Sequence, residues 1–218
     1  MYQHLRPWLF KMDPERVHDW TLRLVRLAGQ LPPVRGLLRA LYAVNDPRLE
    51  VSAFGLKFKN PVGLAAGYDK NGVAVAGLGA LGFGHIEIGT VTRRPQIGNP
   101  HPRLHRVSDA ALINSMGFPN VGARALKIDR AGGECRVGVN IGKGRDTPLD
   151  QAAEEYAALF EEVQPLADYV TINVSSPNTL QIRRLQARDY LDELLSRVAR
   201  RRDALSPRKP VLVKIAPG

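Results

Sequence analysis

Short apolar runs alternate with amphipathic stretches along most of the 218-residue chain. Residues 62–66, 85–88, 137–141, 169–173 and 211–215 form runs too short for helices, which predicts buried strands. Between them, apolar positions at helical spacing predict helices over 72–81, 121–130, 148–165 and 189–203. Strand–helix alternation predicts a parallel sheet. Each strand ends in polar or turn residues: Gly67-Tyr68-Asp69-Lys70, Gly89-Thr90, Gly142-Lys143, Ser175-Ser176-Pro177-Asn178 and Ala216-Pro217. Useful chemistry at strand C-termini is the mark of an α/β barrel of the TIM (β/α)8 type, of which about five βα units are present in 49–218.

Residues 1–48 read differently, as a small helical region. Asp13-Pro14 signals a helix start, because Asp caps free N–H groups and Pro fits the first turn. Val17, Trp20, Leu24 and Leu27 share one face, and Gly29 ends the run. Leu37, Leu38 and Leu41 continue in a short helix after Leu31-Pro32-Pro33, while Leu5, Trp8, Leu9 and Phe10 precede Pro14. Pattern alone favours packing of these faces on a core over contact with a membrane surface. Asn45-Asp46-Pro47 breaks the chain, and a hairpin is expected over 50–58 around Phe54-Gly55.

Composition is that of a soluble globular protein, with 44% hydrophobic and 24% charged residues. No stretch approaches the ~20 apolar residues of a membrane span, and Pro7 and Lys11 interrupt the only run resembling a signal peptide. The single Cys135 excludes an internal disulfide and a thiolate zinc cluster, and no metal site is expected. The net charge of +10 is concentrated at the ends. Residues 1–48 carry eight Lys/Arg against four Asp/Glu, and 183–218 carry ten against four. The middle is neutral and no aromatics interleave with Arg200-Arg201-Arg202, so nucleic acid is not expected as a partner. Gly77-Leu78-Gly79-Ala80-Leu81-Gly82 matches a dinucleotide fingerprint, but in reversed context: a helix precedes it and a strand follows.

The candidate chemistry converges on one end of the barrel. Small residues at Ala65-Ala66-Gly67 let a flat ligand approach the backbone ahead of Lys70. Asn140 and Asn173 end strands, where amides can read the edge of a heterocycle. Lys214 sits in the apolar run Val-Leu-Val-Lys-Ile and, if buried, needs an anionic or electron-accepting partner.

Five strings carry a resemblance. They are Asn60-Pro61-Val62-Gly63-Leu64-Ala65-Ala66-Gly67-Tyr68-Asp69-Lys70-Asn71-Gly72, Ile86-Glu87-Ile88-Gly89-Thr90-Val91-Thr92, Gly138-Val139-Asn140-Ile141-Gly142-Lys143, Asn173-Val174-Ser175-Ser176-Pro177-Asn178-Thr179, and Val213-Lys214-Ile215-Ala216-Pro217. In order and spacing the chain resembles the dihydroorotate dehydrogenases. Asp13-Pro14-Glu15-Arg16-Val17-His18 resembles their membrane-associated, quinone-using class 2 branch. The resemblance implies oxidation of dihydroorotate to orotate in pyrimidine synthesis, with FMN as cofactor and a membrane quinone as acceptor. It implies Ser176 as the base, where other branches carry Cys, and Lys70, Asn114, Ser115, Met116, Gly117, Phe118, Asn173 and Asn178 as substrate-binding. It implies Ala66, Gly67, Tyr68, Asp69, Lys70, Thr90, Asn140, Asn173 and Lys214 as FMN-binding. It also implies peripheral attachment at the cytoplasmic side of a membrane (the inner membrane in a bacterium), which turns the first helices into a lipid-facing funnel.

The chain departs from the family pattern at Ser115 (usually Arg), Pro119 (usually Asn) and Leu180-Gln181 (usually Pro-Gly). It also leaves only residues 49–218 for a barrel that takes about 250 residues. The expectation is an incomplete barrel, from a longer protein or completed by another chain, with weak FMN binding and poor turnover alone. The alternative is a catalytically silent N-terminal fragment serving as a membrane-associated or interaction module.

Overall fold

The computed structural model describes residues 2–108, 110–130 and 135–217. Three helices come first: α1 (Tyr2–Leu9), α2 (Pro14–Gln30) and α3 (Pro32–Tyr42). Asp13 caps α2 as expected, its carboxylate accepting the N–H groups of Glu15 and Arg16 at 3.0 Å each. A short hairpin follows, β1 (Val51–Ala53) with β2 (Leu56–Phe58).

The central sheet then builds from β3 (Gly63–Leu64), β4 (His85–Val91), β7 (Arg136–Ile141), β8 (Tyr169–Asn173) and β9 (Val211–Lys214), all parallel and adjacent in chain order. Helices α4 (Val75–Ala80), α5 (Leu149–Val163) and α6 (Arg188–Asp203) provide crossovers. The antiparallel ribbon β5 (Leu104–Ser108) and β6 (Ala111–Asn114) stands apart from the sheet. Ile86, Ile88, Val137, Val139, Ile141, Val170 and Ile172 turn to the helical side and are fully buried. Tyr156, Leu159, Phe160 and Val163 of α5 and Leu194 and Val198 of α6 close that layer. This is the hydrophobic half of a βα barrel, with β3 and β9 at its two edges.

Two expected helices differ from the sequence reading. The first is confined to α4, because the Asp69 carboxylate accepts the N–H groups of Val73 at 3.0 Å and Ala74 at 2.7 Å and holds the preceding turn off the helix. The second, over 121–130, is absent apart from a 3₁₀ turn at Ala123–Ala125. There the Asn120 carboxamide accepts the N–H of Gly122 at 2.8 Å, and Ala123 N–H donates to the Thr92 carbonyl at 3.0 Å, pinning the segment beside the end of β4. The β5–β6 ribbon was not expected at all. The run 77–82 lies between α4 and β4, helix first and strand second, so the phosphate-turn geometry is not formed.

The helical pair is seated by the backbone. A Cβ on Gly77 would lie 2.0 Å from the Val25 carbonyl oxygen, and one on Gly29 would lie 2.4 Å from Gly77 N. Thr21, Leu22 and Val25 face the barrel, while Trp20, Leu24 and Leu27 are 60%, 52% and 53% exposed. The apolar face that pattern alone assigned to core packing is therefore the outer one. No described helix is long and apolar enough to cross a membrane.

Gly77→Ala is expected to force α2 off α4 and to cost about 1–3 kcal/mol, read as a lower urea midpoint. An unchanged midpoint would show that the helices separate without penalty.

Candidate active site at the strand C-termini

The ends of β3, β4, β8 and β9 meet in one cavity of about 190 Å³. Its floor is backbone. Gly67 N–H donates to the Gly89 carbonyl at 2.9 Å, and Gly89 N–H donates to the Asp69 carbonyl at 3.2 Å, which draws the loop after β3 onto the end of β4. Gly67, at φ +111, has nothing within 4 Å of where a Cβ would stand, so this wall is open to a ligand.

Ser176, Lys70, Lys214, Asn114, Met116, Gly117, Phe118, Asn173, Asn178, Ala66 and Thr90 all line this cavity, although they come from separate stretches of sequence. Asn178 spans its mouth, donating through Nδ2 to the Asn114 carbonyl at 2.9 Å. The Ser176 hydroxyl oxygen accepts the Asn178 N–H at 3.2 Å. No described protein acceptor takes the hydroxyl's own hydrogen. Lys70 is anchored through its ammonium to the Gly67 carbonyl at 2.7 Å. Burial lowers its pKa, and nearby Arg103 adds to that against the opposing pull of Glu15.

Lys214 departs from the buried environment considered for it. Strand β9 is an edge, so the side chain lines the cavity yet stays exposed. Four other predicted positions lie outside the cavity wall. Tyr68 donates its hydroxyl hydrogen to Thr21 Oγ1 at 3.1 Å, against α2. Asp69 caps the turn before α4. Ser115 is bonded through its N–H to the Arg103 carbonyl at 2.9 Å. Asn140 is fully buried beneath the floor, where its Oδ1 accepts the Thr90 hydroxyl at 2.6 Å. Gly89, Ser175 and Pro177 also line the cavity and were not among the predicted site residues. All three stand within strand ends that the sequence already marked as chemically useful.

A second cavity of about 180 Å³ opens behind the first, between α2 and the barrel. His18 packs edge-on against Tyr68 there, with ring centroids 5.1 Å apart. Buried Glu15 accepts from Arg103 at 2.7 Å and lies 3.1 Å from His101 Nδ1. Lys70 and Met116 line both cavities. Of the departures, Pro119 lies in the wall of this second cavity. Leu180 is 72% exposed, and Gln181 adopts a left-handed conformation just before the turn Ile182–Gln186.

A family model described as "Dihydroorotate dehydrogenase" matches residues 48–218. The chain belongs to the dihydroorotate dehydrogenase family. It is 51% identical over its whole length to a "Dihydroorotate dehydrogenase (quinone)" of Roseiflexus sp. (strain RS-1), covering 61% of that protein. A protein of the same description from Thermus thermophilus is 49% identical over 96% of this chain, again covering 61% of the relative. The crystal structure of a dihydroorotate dehydrogenase from Eimeria tenella in complex with ferulenol superposes with a TM-score of 0.80 at 35% identity, over 94% of this chain and 60% of that one. The chain thus spans about three fifths of the length of the family members it matches. Those relatives support the barrel reading of the five-stranded sheet.

Cys135 is remote from the cavity and precedes β7, packed against Gly79. Burial pushes its thiol pKa up to about 12, helped by the nearby Asp168 carboxylate. The unfolded thiol ionises near its ordinary value of 9.0, so the folded state loses stability as pH rises from about 9 toward 12. The iodoacetamide reaction of folded protein is expected to keep accelerating about tenfold per pH unit beyond pH 9, where an ordinary thiolate has levelled off. A plateau near pH 9 would contradict this.

Proposed function

We propose that this chain carries the substrate-binding and flavin-ring-binding half of a dihydroorotate dehydrogenase that uses FMN and passes electrons to a membrane quinone. The observation that carries the reading is the convergence of Ser176, Lys70, Lys214, Asn114 and Asn173 on one cavity. The residues present fit the ring end of the flavin: a side-chain-free wall at Gly67, which a Cβ would fill, the Thr90 and Asn173 side chains, and the Lys214 ammonium. When bound, the flavin supplies a two-electron acceptor for the hydride at C6 of dihydroorotate.

The chain's own residues supply the rest. Asn114, Asn173 and Asn178 offer amide donors and acceptors that match the edge of a pyrimidine, and Lys70 offers a cation for its carboxylate. Ser176 takes the C5 proton. A serine hydroxyl is a weak base, and its hydrogen has no described protein acceptor, so the proton leaves through solvent at the open side of the cavity. Phe118 and Met116 add apolar surface to the cavity wall.

The second cavity supports a quinone path. It shares Lys70 and Met116 with the first, and it opens beneath α2, whose outer face presents Trp20, Leu24 and Leu27. Trp8 of α1 and Leu37 and Leu41 of α3 are also exposed, at 70%, 59% and 64%, and Arg6 and Lys11 flank Trp8 in sequence. Such a surface suits peripheral attachment to an anionic bilayer.

The test is FMN titration followed by dihydroorotate-dependent reduction of a quinone dye. Ser176→Ala is expected to lower turnover by about 10²–10⁴-fold with orotate binding retained. Native protein that takes up FMN and dihydroorotate but reduces no dye would favour the silent interaction module. A further expectation concerns the apolar face: Trp20→Ser with Leu24→Ser should abolish co-flotation with phosphatidylglycerol-containing vesicles. Undiminished flotation would remove these helices from the membrane contact.

A further inference from the structure

Beneath the cavity floor, a row of hydrogen bonds runs through the barrel interior from β4 to the loop that carries Ser176. The Glu87 Oε1 accepts from Asn140 Nδ2 at 2.7 Å. Asn140 Oδ1 accepts from the Thr90 hydroxyl at 2.6 Å. The Thr90 oxygen accepts from Asn173 Nδ2 at 3.0 Å. Asn173 Oδ1 accepts both the N–H and the hydroxyl of Ser175, at 3.0 and 2.8 Å. The other Glu87 oxygen accepts from the Thr171 hydroxyl at 2.9 Å and lies 3.4 Å from the Tyr169 hydroxyl. Asn140, Asn173, Thr90 and Thr171 are 0%, 3%, 5% and 4% exposed, while Glu87 and Ser175 at the two ends of the row are half-buried.

An amide has one donating and one accepting end, and a hydroxyl can do either; alone, such a row could run in two directions. A carboxylate only accepts. Glu87 therefore commits Asn140 to present Nδ2 downward and Oδ1 upward, which commits the Thr90 hydrogen, which commits Asn173. Turning Asn140 would set its oxygen against the Glu87 carboxylate, acceptor against acceptor, and turning Asn173 would set its Nδ2 against the Ser175 N–H, donor against donor. Each Nδ2 retains a second N–H that no described protein acceptor takes. We propose that Glu87, which touches neither cavity, is a positioning residue: through buried Asn140 and Thr90 it fixes which edge the Asn173 amide presents to a bound planar heterocycle, and through Ser175 it steadies the loop bearing Ser176. The inference rests on the proposed flavin and substrate site for its consequence, but not for the row itself.

Two variants separate the roles. Glu87→Gln keeps an accepting oxygen toward Asn140, and its new amide can donate to the Thr171 oxygen. Glu87→Met keeps the bulk and removes the acceptor. In the 218-residue chain labelled with ¹⁵N-asparagine, side-chain amide exchange is read for Asn140 and Asn173, with buried Asn60 and Asn120 as internal references. Glu87→Met is expected to raise exchange at Asn140 and Asn173 by tenfold or more while the references hold, and Glu87→Gln to restore it. A third variant, Thr90→Val, should release Asn173 while the link from Asn140 to Glu87 remains; it decides the matter if Glu87→Met disturbs all four. Unchanged exchange at Asn173 in both Glu87→Met and Thr90→Val would overturn the proposal. FMN fluorescence titration then reads the consequence: the dissociation constant should rise at least tenfold in Glu87→Met and less than threefold in Glu87→Gln. Equal loss in both would also overturn it. If native protein binds no FMN, the proposed function falls, whereas the row is still decided by the exchange rates.

Discussion

Parallel pairing places the chemistry of this molecule, with one register shift between Ile88 and Val91 of β4. Glu87 lies opposite Gly138, Asn140 opposite Thr171, and Asn173 opposite Lys214. Because side chains alternate across a strand, these residues share the interior face, while Ile88, Val139, Ile141 and Ile172 share the helical one. A slip of one residue would exchange the two sets, burying amides among α5 and α6 and turning isoleucines into the interior. The cost of that exchange keeps the polar row in place, and the row depends on it link by link.

The same arrangement explains why the two faces of the sheet read so differently. The helical face is continuous hydrocarbon, and it accounts for the apolar runs that announce strands. The interior face contains glutamate, threonine, tyrosine and asparagine, which would be costly if scattered and are tolerated because each finds a partner in its neighbour. Strand β9 shows the limit of that tolerance. It has one neighbour, so Lys214 remains exposed although its strand pairs normally with β8.

Strands and the long crossover helices were legible in the sequence because burial on a repeating period leaves a periodic trace. Tyr169–Asn173 was read with its bounds intact, and α5 and α6 to within two residues. The segment 121–130 misled because its apolar spacing is helical while its backbone is claimed by Asn120 and Thr92, a long-range competition with no periodic signature. The β5–β6 ribbon escaped notice because both of its faces are largely exposed, leaving no alternation to detect. In α2, the apolar pattern taken alone gave a correct helix the wrong orientation, which the family resemblance reverses. Its seat is the small-residue side at Gly29, and its large apolar residues, which pattern would bury, face outward. Among site residues, Lys70, Asn114, Ser176 and Asn178 were found as strings at strand ends. Glu87 was not singled out, since a lone acid within Ile-Glu-Ile-Gly conveys nothing until its neighbours across the sheet are known.

The contact of Gly29 with Gly77 has a bearing on the rear cavity. Main chain touches main chain at one end of α2, so the helix lies as near to the barrel as polypeptide allows. Toward the other end, His18, Tyr68 and Arg103 hold the two apart. Helix α2 is thereby closed on the barrel at the glycines, while the cavity lies toward its first turn, where buried Glu15 is bonded to Arg103. The aperture offered to a molecule arriving from that side is governed by two missing methyl groups at the far end of the helix.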